Sequence, residues 1–377
     1  MRARQTPARD VVRIDVLGRI EDLVQSARER MSASCTPDEA QRVIADAHGL
    51  PTWAAFVSHV EALTQPGSEI GRFETAADAI ITGDLETLAR LLREQPTLIR
   101  ARSTREHQAT LLHYVSANGV EGYRQLSPPN IADITTRLLD AGAEVDAPCY
   151  VYEGDCTALG LVATSGPPAV AGVQIAVIDV LLARGARMDL PGSAGRRDSL
   201  LRACLANGQD EAAAHLLDRG APVDFTTAAG VGRLDLVEQL FDGTKDVAEG
   251  FNYACGYGHV KVVEFLLDRG VDVNVRHRSE TGLHAAAYHG HVDVVDLLIR
   301  RGADLNPIDK TYQSTPLIWA LTGWQRRRRG DRSRYYTVVA RLVSAGAQIR
   351  PDVLEWDKAR EDPRMWTALT GQAPRQP

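Results

Sequence analysis

Thr281-Gly282-Leu283-His284-Ala285-Ala286-Ala287, then Gly290-His291-Val292-Asp293-Val294-Val295, then Arg301-Gly302-Ala303-Asp304-Leu305-Asn306: the reading of this stretch decides the fold. A threonine can cap a helix that begins with small residues, and a second, amphipathic helix follows. In that second helix Val292, Val295, Leu298 and Ile299 fall on one face at i, i+3, i+6 and i+7. A glycine then ends it, because glycine enters the left-handed C-cap conformation without a Cβ penalty. A helix pair of this size cannot bury its apolar face alone, so neighbouring copies must stack.

Working outward, the second helix recurs as Leu85-Leu92, Ile131-Leu139, Ile175-Leu182, Ala212-Leu217, Leu234-Phe241, Val260-Leu267, Val292-Ile299 and Tyr336-Val343, which gives about eight units. Gly142, Gly185, Gly220, Gly270, Gly302 and Gly346 follow most copies. Gly270 to Gly302 spans 32 residues; Gly220 to Gly270 spans 50 and holds a shortened unit without the glycine phrase. First-helix starts also occur at Thr110, Thr157, Ser199 and Thr315, with Pro316 at a first helical turn where no amide bond is lost.

These residues resemble the ankyrin-repeat family over roughly 71–350, most closely at 247–309. The resemblance implies an all-α solenoid of antiparallel helix pairs with β-turn fingers at one edge and a concave binding surface. A narrower likeness, in Leu112–Gln125, Leu159–Ser165 and Thr315–Trp324, is to a widespread set of bacterial ankyrin proteins of unassigned activity; it implies a bacterial origin and no chemistry.

Residues 1–70 read as a small helical cap. It comprises a helix over Val12–Ser32 with a stripe of Ile14, Leu17, Ile20 and Leu23, a capping-box start at Thr36-Pro37-Asp38-Glu39, and a helix from Trp53 to Leu63. Its use would be to cover the first repeat. Residues 351–377 read as a short closing helix and a Gln-Pro tail.

The bulk composition, 377 residues with 44% hydrophobic, 24% charged and a net charge of -6, argues against a general phosphate-backbone binder. The run Arg326–Arg329 reads as a solvated loop. Five scattered cysteines without a CxxC pair indicate reduced thiols. No stretch is apolar enough for a signal peptide or membrane helix, so a cytoplasmic monomer is expected. No GxSxG, Walker, HExxH or fitting GxGxxG motif is present, and neither a cofactor nor catalysis is expected. His284, His289 and His291 do not share a helical face, so no metal site is expected; His113 and His284 read as turn-bonding histidines.

Three units are stretched, at Val120–Asn130, Gly166–Val173 and Trp324–Arg334, and long loops on a rigid scaffold are where binding residues sit. Arg124 either grips a carboxylate or phosphate or simply ties its insert to the body. The expected partner-binding residues are Tyr123, Arg124 and Tyr152 at one end of the surface, and Tyr257, His277, Arg278, Glu280, Tyr288 and His289 at the other. Tyr312, Trp319 and Trp324 would extend the aromatic strip, although Trp319 reads better as core. The expected function is non-catalytic recognition of a protein partner. The alternative is a small-molecule site or enzyme between the inserts of repeats two and three, marked by a closed pocket of about 300 Å³ or more with Arg124, Glu121 and Tyr123 convergent.

Overall fold

The capped pair around Thr281 forms as its sequence dictates. Thr281 and His284 close a capping box, with Thr281 N–H donating to His284 Nδ1 at 3.2 Å. The first helix runs Gly282–His289 and the second Val292–Arg300. Gly302, at φ 80°, and Gly270, at φ 87°, hold the left-handed conformation that stops their helices. No atom lies near a Cβ added at either position, so backbone conformation rather than space requires glycine there.

The computed structural model describes residues 36–65, 67–190, 199–326 and 332–372. The expected helix at Val12–Ser32, Arg327–Arg329 of the arginine run and the end of the tail lie outside these residues. The chain divides into two units, Met1–Pro222 and Val223–Pro377. Each is a stack of helix pairs.

In the first unit, α1 (Pro37–Ala47) and α2 (Trp53–Thr64) precede the repeats, and α2 packs on α3 (Glu69–Thr82). The capping box of Thr36 and Glu39 starts α1. Four helix pairs follow among the described residues: α3 with α4 (Leu85–Glu94), a 3₁₀ turn Leu111–Ser116 with α5 (Ile131–Asp140), α6 (Ala158–Ala163) with α8 (Gln174–Ala183), and α9 (Leu200–Ala206) with α10 (Asp210–Asp218). The insert Gly166–Val170 is itself a short helix, α7. Between the second and third pairs projects a hairpin, β1 (Cys149–Val151) with β2 (Gly154–Cys156).

The second unit holds α11 (Phe225–Val231) with α12 (Leu234–Leu240), α13 (Val247–Gly256) with α14 (Val260–Asp268), α15 (Gly282–His289) with α16 (Val292–Arg300), and α17 (Pro316–Arg326) with α18 (Ser333–Ser344). The shortened unit of the sequence is α11–α12, from which the chain enters α13 almost directly. Three short helices, α19 (Pro351–Glu355), α20 (Asp357–Glu361) and α21 (Pro363–Thr370), close the stack by burying Val353, Ala359, Met365 and Leu369. One closing helix is thus three: Pro351 and Pro363 start the first and third at a first turn, and the extended backbone of Trp356 (ψ 111°) parts the first from the second.

Inner helices α11, α13, α15 and α17 pack side by side, as do outer helices α12, α14, α16 and α18. Ala228, Ala254, Ala286 and Ala320, all fully buried, keep the inner row close. The buried set of α16 is Val294, Val295, Leu297 and Leu298, wider than the single stripe read from sequence. Flanking outer helices cover its sides as well as its base. Burying each such side chain is worth about 1.5–3 kcal/mol. His259 and His291 sit before their outer helices and donate from Nε2 to the carbonyls of Gly230 and Gly256 at 2.9 and 2.8 Å, stitching successive repeats.

Candidate functional site

The inner row of the second unit carries a run of aromatic residues on one exposed side. On α13, Tyr253 and Tyr257 lie one turn apart, with centroids 6.3 Å apart. Tyr257 stacks on His289 of the next inner helix at 6.2 Å and 23°. Tyr288 meets His289 edge-on at 5.0 Å and Trp319 of α17 at 5.7 Å. Tyr312, on the following finger, completes the run at 6.1 Å from Trp319. Tyr253, Tyr257, Tyr288 and Trp319 are half-buried, His289 is exposed, and Tyr312 is 68% exposed. Six rings thus form one continuous strip across three neighbouring helices and a fingertip.

The strip is held from beneath. A Cβ at Gly323 would stand 2.0 Å from the Tyr288 carbonyl oxygen, so α17 can approach α15 only through glycine there. Tyr335 Oη donates to that same carbonyl at 3.2 Å. Trp319 Nε1 donates to Asp309 Oδ2 at 3.0 Å, and the same carboxylate accepts from the backbone of Tyr312 and Ser314. Burial pushes the Asp309 carboxyl up, but these bonds outweigh it and hold its pKa below the usual value. The Trp319 ring and the backbone that carries Tyr288 and Tyr312 are therefore fixed before any partner arrives, which lowers the entropy lost on binding.

The finger residues flank the strip. His277 and Glu280 pair across the hairpin of β3 (Arg276–His277) and β4 (Glu280–Thr281). Arg278, exposed, turns the hairpin with φ 57°. Arg276 Nη1 donates to the carbonyls of Ser279 and Ile308, joining two successive fingers. Burial, then the Asp309 charge, raises the Glu280 pKa, while His277 Nε2 lies 3.9 Å from Glu249 Oε1.

The two outer tryptophans exchange the places expected from sequence. Trp319, read as core, is half-exposed in the strip. Trp324, read as part of the strip, is buried against Trp356 at 5.8 Å and 90°. They lie five residues apart on α17, which puts them on different faces; Trp356 beside the closing helices covers Trp324, whereas Trp319 meets Tyr288 and Tyr312 of the strip.

In the first unit Tyr152 is 58% exposed at the tip of the β1–β2 hairpin, and its Oη donates to Asn118 Oδ1 at 2.6 Å. Tyr123 is half-buried. Arg124 takes the tying reading rather than the gripping one. It is 1% exposed, its Nε and Nη2 meet Asp78 Oδ1 at 2.8 and 2.7 Å, and its Nη1 meets Glu74 Oε2 at 2.5 Å. The insert turns back onto α3 because two carboxylates wait there, a signal carried by Glu74 and Asp78 that the insert's own sequence lacks. The cavity that Tyr123 and Arg124 line, about 180 Å³, is walled by α2, α3, Arg105 and His48, and no residue of 166–173 joins it. The second-unit members, Tyr257, His277, Arg278, Glu280, Tyr288 and His289, lie on the inner helices and fingers of one unit.

A family model described as ankyrin repeats matches residues 225–309 and 251–351. No curated protein sequence matches the chain. Among solved structures, the human ASB11 ankyrin repeat domain is similar at 22% identity over 71% of this chain and 96% of that one, with a TM-score of 0.39.

Proposed function

We propose that this chain, whose residues 225–309 and 251–351 match a model of ankyrin repeats, is a non-catalytic binding module whose second unit grips a protein partner along its aromatic strip. Ankyrin repeats are in general protein–protein interaction modules. The observation that carries the finer reading is the unbroken run of half-exposed rings from Tyr253 to Tyr312. Pre-positioned aromatics supply large contact area at low entropic cost and dominate interface energetics. The partner is an extended segment or surface patch offering apolar side chains to Tyr257, Tyr288 and His289. His277, Arg278 and Glu280 set register from the rim, where polar contacts govern specificity more than affinity. Tyr152, on the first unit, is an outlying contact of the same kind, and Tyr123 and Arg124 support their insert. The same reading takes the protein as a monomer acting in a bacterial cytoplasm. Among the described residues no helix is long and apolar enough to cross a membrane.

The test is site-specific photo-crosslinking in cells of the native source. A photoreactive phenylalanine analogue at Tyr312 should capture a discrete partner, and the same analogue at Arg300, on the outer row, should not. Equal capture from both positions would refute the strip as the binding surface.

A further inference from the structure

A cavity lies between α2 and α3 of the first unit, and its two walls differ. Phe56, Val60 and Leu63 of α2 make the apolar one; Glu74 and Asp78 of α3, with Arg105, Tyr123 and Arg124, make the polar one. Its volume, about 180 Å³, slightly exceeds the ~150 Å³ cavity known to admit benzene. A hydrocarbon body the size of one ring therefore fits against the apolar wall. The polar wall fixes the rest of the ligand.

The charges that line the cavity are matched and in contact. Glu74 bridges the two guanidiniums, with Oε1 paired to Arg105 Nη1 and Oε2 to Arg124 Nη1. Asp78 takes both of its Arg124 contacts on Oδ1. Two carboxylates thus face two guanidiniums in the lining. Glu121 lies behind this wall, where its Oε1 meets Arg105 Nε at 2.7 Å and His107 Nε2 at 3.4 Å, and does not line the cavity. A cation brought to Asp78 would sit against Arg124, and an anion brought to Arg105 would sit against Glu74. An ion that leaves water without a countercharge of its own is penalised.

The remaining polar groups of the lining are neutral. Burial first, then the Arg105 charge, lowers His48 to about 4, and the same two causes lower His59. Burial pushes Tyr123 up to about 12, so its hydroxyl keeps its hydrogen at neutral pH. That hydroxyl accepts a long bond from Arg105 Nη2, at 3.4 Å, and Nη2 lies equally far from His59 Nε2, also at 3.4 Å. Having accepted from Arg105, Tyr123 Oη still has its own hydrogen to donate. We propose that this cavity between α2 and α3 binds a small uncharged molecule, one ring in size, that carries a hydroxyl or carbonyl oxygen. The oxygen accepts from Tyr123 Oη, and the ring lies against Phe56, Val60 and Leu63. Such a ligand satisfies both walls and leaves the matched charges undisturbed.

Calorimetric titration of the full chain at neutral pH tests this with four probes of one shape: benzyl alcohol, toluene, benzylammonium and benzoate. Saturable binding of benzyl alcohol is expected, with at least tenfold weaker binding of the two ions. Tyr123→Phe removes one hydroxyl and keeps the ring, so the affinity for benzyl alcohol relative to toluene should fall at least threefold. Leu63→Trp, which fills the cavity from the apolar wall and leaves every charge in place, should abolish binding of both with helicity and melting unchanged. Because the two variants alter opposite walls, a folding defect in one leaves the other decisive. No saturation at millimolar benzyl alcohol, either ion within tenfold of it, an unchanged ratio in folded Tyr123→Phe, or wild-type affinity in folded Leu63→Trp would each overturn the proposal. None of these outcomes bears on the aromatic strip of the other unit.

Discussion

The first unit buries a cluster of charges and the second exposes a strip of rings. Both are built from the same helix pair, capped by a threonine–histidine box at Thr110–His113 in one and Thr281–His284 in the other. In the first unit the segment between the Leu111–Ser116 turn and α5 is long enough to fold back, and it carries Arg124 into contact with α3 and Glu121 onto Arg105. In the second the α15–α16 connection is only Gly290–His291, so among the described residues no such segment folds over Tyr257, Tyr288 and His289. A repeat scaffold thus acquires either an interior or a surface according to what its connections do.

The largest effect that would break this contrast is expected at Glu74. Glu74→Gln removes the buried carboxylate that Arg105 and Arg124 share and should cost about 3–5 kcal/mol of stability in urea denaturation. The second unit's Arg301–Asp268 pair, at 2.7 Å with side chains 34% and 60% exposed, is screened by water. Removing it should cost less than about 1 kcal/mol. Equal costs would erase the distinction.

Acid should separate the units next. Burial lowers both His48 and His113 to about 4 in the folded first unit. The unfolded chain binds those protons near pH 6.5, so stability is complete above that value and is lost as pH falls toward 4. A loss on the order of 2 kcal/mol per histidine by pH 5 is expected. Hydrogen exchange at pH 7.5 and pH 5 should show it in amides of the first unit more than in the second, where His284 is the buried histidine whose pKa is lowered, again chiefly by burial. Uniform loss would contradict the account.

Gly323→Ala should cost about 1–3 kcal/mol, because the new methyl must displace α15 from α17. It should weaken partner binding as well, since the displaced residue is Tyr288. A variant stable at wild-type level would show that the close approach is not required.

Much of this was legible in sequence. The outer helices and their stop glycines were, since 3.6-residue periodicity and a left-handed C-cap are local signals. So were the turn-bonding roles of His113 and His284. What sequence could not convey was which neighbour covers a given face. Trp319 and Trp324 share one helix and differ only in what packs over them. Arg124 read equally as a grip or a tie until Glu74 and Asp78, about fifty positions earlier, stood against it. The inner segment at Leu111–Ser116 is 3₁₀ rather than α-helical, ending at Ala117 with φ 47°. The strip itself needed three repeats in register before its rings met.

The smallest change expected in the fold carries the most direct test. With the partner captured by crosslinking, its affinity would be titrated against wild type, Tyr288→Ala and Tyr152→Ala, each checked for intact folding. Tyr288→Ala should cost about 1–2 kcal/mol, and Tyr152→Ala, at the outlying contact, distinctly less. Wild-type affinity in folded Tyr288→Ala, or a larger loss at Tyr152, would contradict the claim that the second unit's aromatic strip is what this protein binds with.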